Sequence, residues 1–78
     1  MAVRIRLNVR QHNRYARHKG WRTLTDEAQA LDLDPATISR VVAGTHGPGE
    51  RFIAALLHAA RDDEIAFEDL FIVREERR

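Results

Sequence analysis

Apolar residues alternate with polar ones near the start of the chain. Val3, Ile5, Leu7 and Val9 are interleaved with Arg4, Arg6, Asn8 and Arg10, the period of a half-buried strand. A short strand is expected over residues 3–7. Asn8 suits the N-cap that follows, because its side-chain oxygen accepts a hydrogen bond from a first-turn amide. The helix after it is expected from Val9 to Lys19, stopping at Gly20. Its apolar face is thin, with Val9, Tyr15 and Ala16, and His12 lying between them. Trp21, just past its end, is the expected anchor against the core. The period then becomes helical. Leu24, Ala28 and Leu31 stand at i, i+4, i+7, and Ile38, Val41 and Val42 at i, i+3, i+4, each set making one apolar stripe. Phe52, Ile53, Leu56 and Leu57 share a face of a helix that should begin near Pro48 or Gly49 and reach about Ala60. Phe67 to Leu70 suits a single helical turn. Phe71-Ile72-Val73 is apolar and β-prone, and is the expected partner of residues 3–7, either within one chain or across a dimer. The tail from Arg74 to Arg78 is expected to fray.

Two of these helices carry sharp boundary signals. Thr23 and Asp26 have the spacing of a capping box in carboxylate form, so a helix of about two turns is expected to end near Leu31. Asp34 is a good N-cap for the next, and Pro35 falls at its first position, where a missing N–H costs nothing. Gly44 suits the left-handed residue that closes it. Between these ends the polar face carries Ala36, Thr37, Ser39 and Arg40. Such a face is small enough to approach another surface closely, and the major groove of DNA admits one α-helix. Two short helices with a tight turn through Asp32-Leu33 make a helix-turn-helix.

The run from Thr23 to Gly44 resembles the Xre, or Cro/CI-type, family of DNA-binding regulators of bacteria and phages. The likeness rests on the capped helix with Ala28 facing inward, the turn, the Thr37-Ile38-Ser39-Arg40 run and Gly44. Downstream, Phe52 to Leu57 and Phe67 to Phe71 resemble the closing helices of such regulators. Two positions depart from the pattern. Asp32 stands where the family usually has Gly, and Asp tolerates the left-handed conformation better than most residues. Glu27 stands where the family usually has Leu, so that helix is expected to pack through Leu24, Ala28 and Leu31. The resemblance implies a mostly α, five-helix lambda-repressor-like fold as one domain over residues 1–78, with the helix-turn-helix at about 24–43. A short two-stranded β element would join the two ends.

The resemblance also implies a function: sequence-specific binding of double-stranded DNA by a transcriptional regulator, a repressor by preference. Pro35, Ala36, Thr37 and Arg40 would face the groove with Ser39 at its edge. Thr23, with free helix-start amides, and Thr45 and His46, after the reading helix, would meet phosphates, and Arg10, Arg14, Arg17 and Arg22 would add charge. Pro35 and Ala36 stand where the family often has polar base-reading side chains. They keep open an alternative, a helical protein-interaction module such as an antitoxin-like or adaptor protein. A homodimer is a further expectation, formed edge to edge through Ile5, Leu7, Phe71 and Val73 or through the surface of the fourth helix. The alternative is that the strands pair within one chain and two monomers meet only on DNA.

Composition narrows the remaining classes. The chain has 78 residues, no cysteine and a net charge of +1. The near-neutral balance conceals a polarity: Arg4 to Arg22 holds seven basic residues and no acid, and Asp62 to Asp69 holds five acids and no base. A basic face on a nearly neutral molecule is the expectation. No apolar run approaches the ~18 residues of a membrane span, and no signal-peptide pattern is present, so a cytoplasmic, nucleoid-associated protein is expected. His12, His18, His46 and His58 form no i, i+3 or i+4 pair with one another, and the acidic run Asp62-Asp63-Glu64 lacks the spacing and glycine of a calcium loop. No metal, cofactor, small-molecule ligand or enzymatic activity is expected.

Overall fold

The structure, a computed structural model, describes residues 2–76. Their order is β1 (Ala2–Leu7), α1 (Val9–Lys19), α2 (Leu24–Leu31), α3 (Pro35–Ala43), α4 (Glu50–Ala59), α5 (Phe67–Leu70) and β2 (Phe71–Glu76). The described residues are mostly helical, with one two-stranded antiparallel sheet joining the two ends of the chain. No helix among them is long and apolar enough to cross a membrane.

The caps form as side-chain chemistry dictates. Asn8 Oδ1 accepts the amide of Gln11 at 3.2 Å, and the Asn8 amide donates to Leu70 O at 2.8 Å, tying the entry of α1 to the end of α5. Thr23 Oγ1 accepts the Asp26 amide at 3.1 Å, and Asp26 Oδ2 accepts the Thr23 amide at 3.1 Å. Asp32 takes the left-handed conformation with φ 54°, so the turn into α3 closes without glycine. Asp34 Oδ1 accepts the Ala36 amide at 2.9 Å. Asp34→Ala is expected to cost about 1 kcal/mol of stability, measured by urea unfolding, with a smaller loss for Asp34→Ser because serine keeps the capping oxygen.

The core gathers one stripe from every helix. Ile38, Phe52, Leu56, Ala60 and Leu70 are buried almost completely, and Leu7, Tyr15, Ala28, Leu31, Val41 and Phe71 complete the cluster. Phe71 lies edge-on to Phe52 at 6.4 Å between centroids and stacks on Phe67 at 5.0 Å. Trp21 is half-buried and meets Tyr15 edge-on at 5.6 Å, closing α1 against the core as expected. The Tyr15 hydroxyl donates to Asp63 Oδ2 at 2.6 Å. Burial and the Asp63 carboxylate raise the phenol's pKa, so it holds its proton and fastens α1 to the connection after α4.

Three expectations are corrected. Leu24 does not pack inward and is 41% exposed. Glu27 is buried in its place, its Oε2 2.6 Å from His12 Nε2. A buried His12–Glu27 pair therefore joins α2 to α1. Second, β2 runs to Glu76, so Arg74 to Glu76 are paired in the sheet rather than frayed; Arg77 and Arg78 lie outside the described residues. Third, Leu7 and Phe71 face each other across the sheet and are buried in their own core. Their side chains are thus buried without a partner chain, whereas Val3 and Val73 are 65% and 60% exposed.

Candidate nucleic-acid interface

Helix α3 is held from below and open above. Ile38 and Val41 are buried and Val42 is half-buried, while Pro35, Ala36, Ser39, Arg40 and Ala43 are exposed and Thr37 is half-buried. The exposed side chains are short apart from Arg40, which forms no ion pair among the described residues. Gly44 closes the helix with φ 82°, a left-handed conformation that a side chain would strain.

The turn after α3 folds back onto its last carbonyls. Arg40 O accepts the amides of Thr45 at 3.1 Å and His46 at 3.3 Å, and also the Thr45 hydroxyl at 3.2 Å. Both Thr45 and His46 are exposed. Their backbone donors are nevertheless spent on the helix end, leaving the His46 ring as the group with capacity for an outside anion.

At the start of α2 the free amides expected of Thr23 are not there. Asp26 Oδ2 takes the amides of both Arg22, at 3.2 Å, and Thr23, at 3.1 Å. The capping carboxylate thus sits where a phosphate would have to go. The side chains around this point are better placed. A shallow hollow of about 510 Å³ is walled by Asn13 and Arg17 of α1, by Arg22 and Thr23, and by Ser39 and Ala43 of α3. Arg17 and Arg22 therefore share a surface with α3.

The other two arginines lie elsewhere. Arg14 lines a separate hollow with Glu68 and Asp69 near α5, and Arg10 lines neither. Arg10, Arg14 and Arg17, at i, i+4 and i+7, share one side of α1, with Arg14 at the edge toward Glu68 and Asp69 and Arg17 at the edge toward α3. Asn13 was not singled out from the sequence. Its spacing of four from Arg17 is the signal that puts both on one side of the helix.

His12 and Glu27 also line the hollow of Arg17 and Ser39. Burial alone would lower the pKa of the His12 imidazole. The hydrogen bond and charge of Glu27, with a contact from Asn13 Oδ1 at 3.1 Å, more than reverse this, and the ring titrates above its ordinary value. Glu27 favours its cationic form, and the contact ties α1, which carries Arg17, to α2, which leads into α3.

Among the described residues no group of three or more His, Cys, Asp or Glu could hold a metal ion. In comparisons with known proteins, no family model, no curated protein and no solved structure matches this chain.

Proposed function

We propose that this chain is a sequence-specific double-stranded DNA-binding regulator of transcription, a repressor of the Cro/CI-like kind that acts in the cytoplasm. Helix α3 would read the major groove as the second helix of a helix-turn-helix within a lambda-repressor-like fold. The observation that carries the reading is the juxtaposition of an open, short-residue face on α3 with the cations Arg17 and Arg22 beside it. Phosphate contacts position a protein on the duplex and base contacts specify the site. Arg40 is the long donor on the reading face, Thr37 and Ser39 offer hydroxyls, and Pro35 and Ala36 offer apolar contact to a thymine methyl. The Arg22 side chain on one side and the His46 ring on the other would bracket the groove. Two copies on half-sites one DNA turn apart, at ~34–36 Å, would complete an operator.

The same apolar pair, Pro35 and Ala36, favours the second reading, in which α3 docks on a protein. A salt-titrated binding assay on random duplex DNA separates the two. A DNA binder loses affinity steeply as salt rises, and each phosphate contact removed lowers that slope by ~1. The Arg17→Gln/Arg22→Gln protein should show a slope lower by about two. Wild-type protein without salt-dependent binding would leave the protein-docking reading in possession.

A further inference from the structure

The sheet carries a charge pattern that its structural task does not need. In an antiparallel pair, directly opposite residues share a face. The register pairs Ala2 with Glu76, Arg4 with Arg74 and Arg6 with Ile72, so Arg4, Arg6 and Arg74 stand on one face. The other face carries Val3, Ile5 and Leu7 opposite Glu75, Val73 and Phe71, and leads into the core. On the cationic face Glu76 is the acid among the described residues, and it is shared: Arg4 Nε and Arg6 Nη2 each reach it at 3.1 Å. Three guanidinium groups against one carboxylate leave that face cationic. Arg4 and Arg74 sit directly opposite each other, an arrangement that destabilises a sheet, and a two-stranded sheet is marginal to begin with.

The position of this face supplies a reason. A Cβ added at Gly47 would stand 3.7 Å from the carbonyl oxygen of Ile5, so the edge of β1 lies against the loop that follows α3. That loop carries Thr45 and His46. The sheet edge therefore adjoins the loop that leaves α3, and Arg17 and Arg22 line the hollow that Ser39 and Ala43 also line. Arg4 and Arg6, alternate strand residues about 6.6 Å apart, present two cations in a row along β1.

We propose that the sheet is a second DNA-contacting element, in which Arg4, Arg6 and Arg74 grip the sugar–phosphate backbone next to the α3–α4 loop. The proposal rests on the DNA-binding reading above. On the duplex, the phosphates relieve the repulsion between Arg4 and Arg74 and compete with Glu76 for Arg4 and Arg6.

The test uses the full chain in two variants. Arg4→Gln/Arg74→Gln keeps the Arg6–Glu76 pair and removes two cations. Glu76→Gln keeps all three arginines and frees two of them. Binding to random duplex is titrated with salt for each, beside the wild type, with thermal unfolding as a check on folding and sedimentation as a check on assembly. The double variant is expected to lower the salt slope by about two without changing preference among sequences, since phosphate contacts carry no sequence information. Glu76→Gln is expected to tighten binding and steepen the slope. Should the double variant fold poorly, the Glu76→Gln result decides. Unchanged slopes in folded variants would overturn the proposal while leaving the DNA reading intact. Absence of salt-dependent binding by the wild type would instead sink the DNA reading itself. Altered sedimentation with an unchanged slope would reassign the face to contact between copies, and would equally overturn the proposal.

Discussion

His12→Ala is expected to lower the free energy of unfolding by about 3–5 kcal/mol, the cost of leaving one partner of a buried ion pair alone. The His12 and Glu27 side chains are only 4% and 7% exposed and meet at 2.6 Å, so the remaining carboxylate would have neither water nor a cation. Glu27→Ala should cost less, about 1–3 kcal/mol, because an unpartnered imidazole can give up its charge. The double variant His12→Leu/Glu27→Leu removes both charges and fills the space. It should be more stable than either single variant, since apolar replacement of a whole buried pair is often neutral or better.

The pH dependence has a definite sign. The folded pKa of His12 lies above its ordinary value of 6.5, so its contribution is complete below that value and is lost as pH rises through the folded pKa. Urea unfolding across this window should show stability falling with rising pH in the wild type, and not through this group in the double-leucine protein. Single variants no more costly than the double would show that the pair contributes nothing. The consequence reaches the surface proposed to meet DNA, because the pair joins α1, which carries Arg17, to α2, which leads into α3.

Arg40→Ala is expected to reduce the preference for a selected site over random DNA by about 1–3 kcal/mol, the discrimination of one bidentate arginine–guanine contact. That corresponds to roughly a 5- to 150-fold loss. Thermal stability should be unchanged, because the side chain is exposed and without an ion pair among the described residues, while the cap uses the backbone carbonyl of Arg40. The measurement is competition binding with a site selected from a random pool, carried out at two salt concentrations. An equal loss across all sequences, with a slope lower by ~1, would make Arg40 a phosphate contact and move the reading of bases to Thr37 and Ser39.

These two residues illustrate different degrees of legibility. Arg40 could be placed on the open face of α3 from sequence, because Asp34, Pro35 and Gly44 act within a few residues and the stripe of Ile38 and Val41 fixes which side faces down. The same local chemistry placed the ends of α1 and α2, the left-handed turn at Asp32, and both strands to within a few residues. A cap, a proline or an apolar period acts on its own neighbours, so it can be read without the fold.

Tertiary structure alone decided what distant residues do to one another. Nothing in the spacing of His12 and Glu27, fifteen residues apart, announces that they meet; only the approach of α1 to α2 makes the two into a buried pair. The strand patterns of residues 3–7 and 71–73 fitted pairing within a chain or between chains equally well, because a strand's hydrogen-bonding edge does not specify whose strand it receives. The burial of Leu7 and Phe71 beside Phe52 resolves their pairing within the chain. The spacing of the arginines of α1 predicts one helical face, but it does not say which neighbours stand at the edges of that face. Arg10, Arg14 and Arg17 stand at i, i+4 and i+7 and share one side of α1, and only the elements packed at its two edges put Arg17 at the hollow beside α3 and Arg14 at the one beside Glu68 and Asp69.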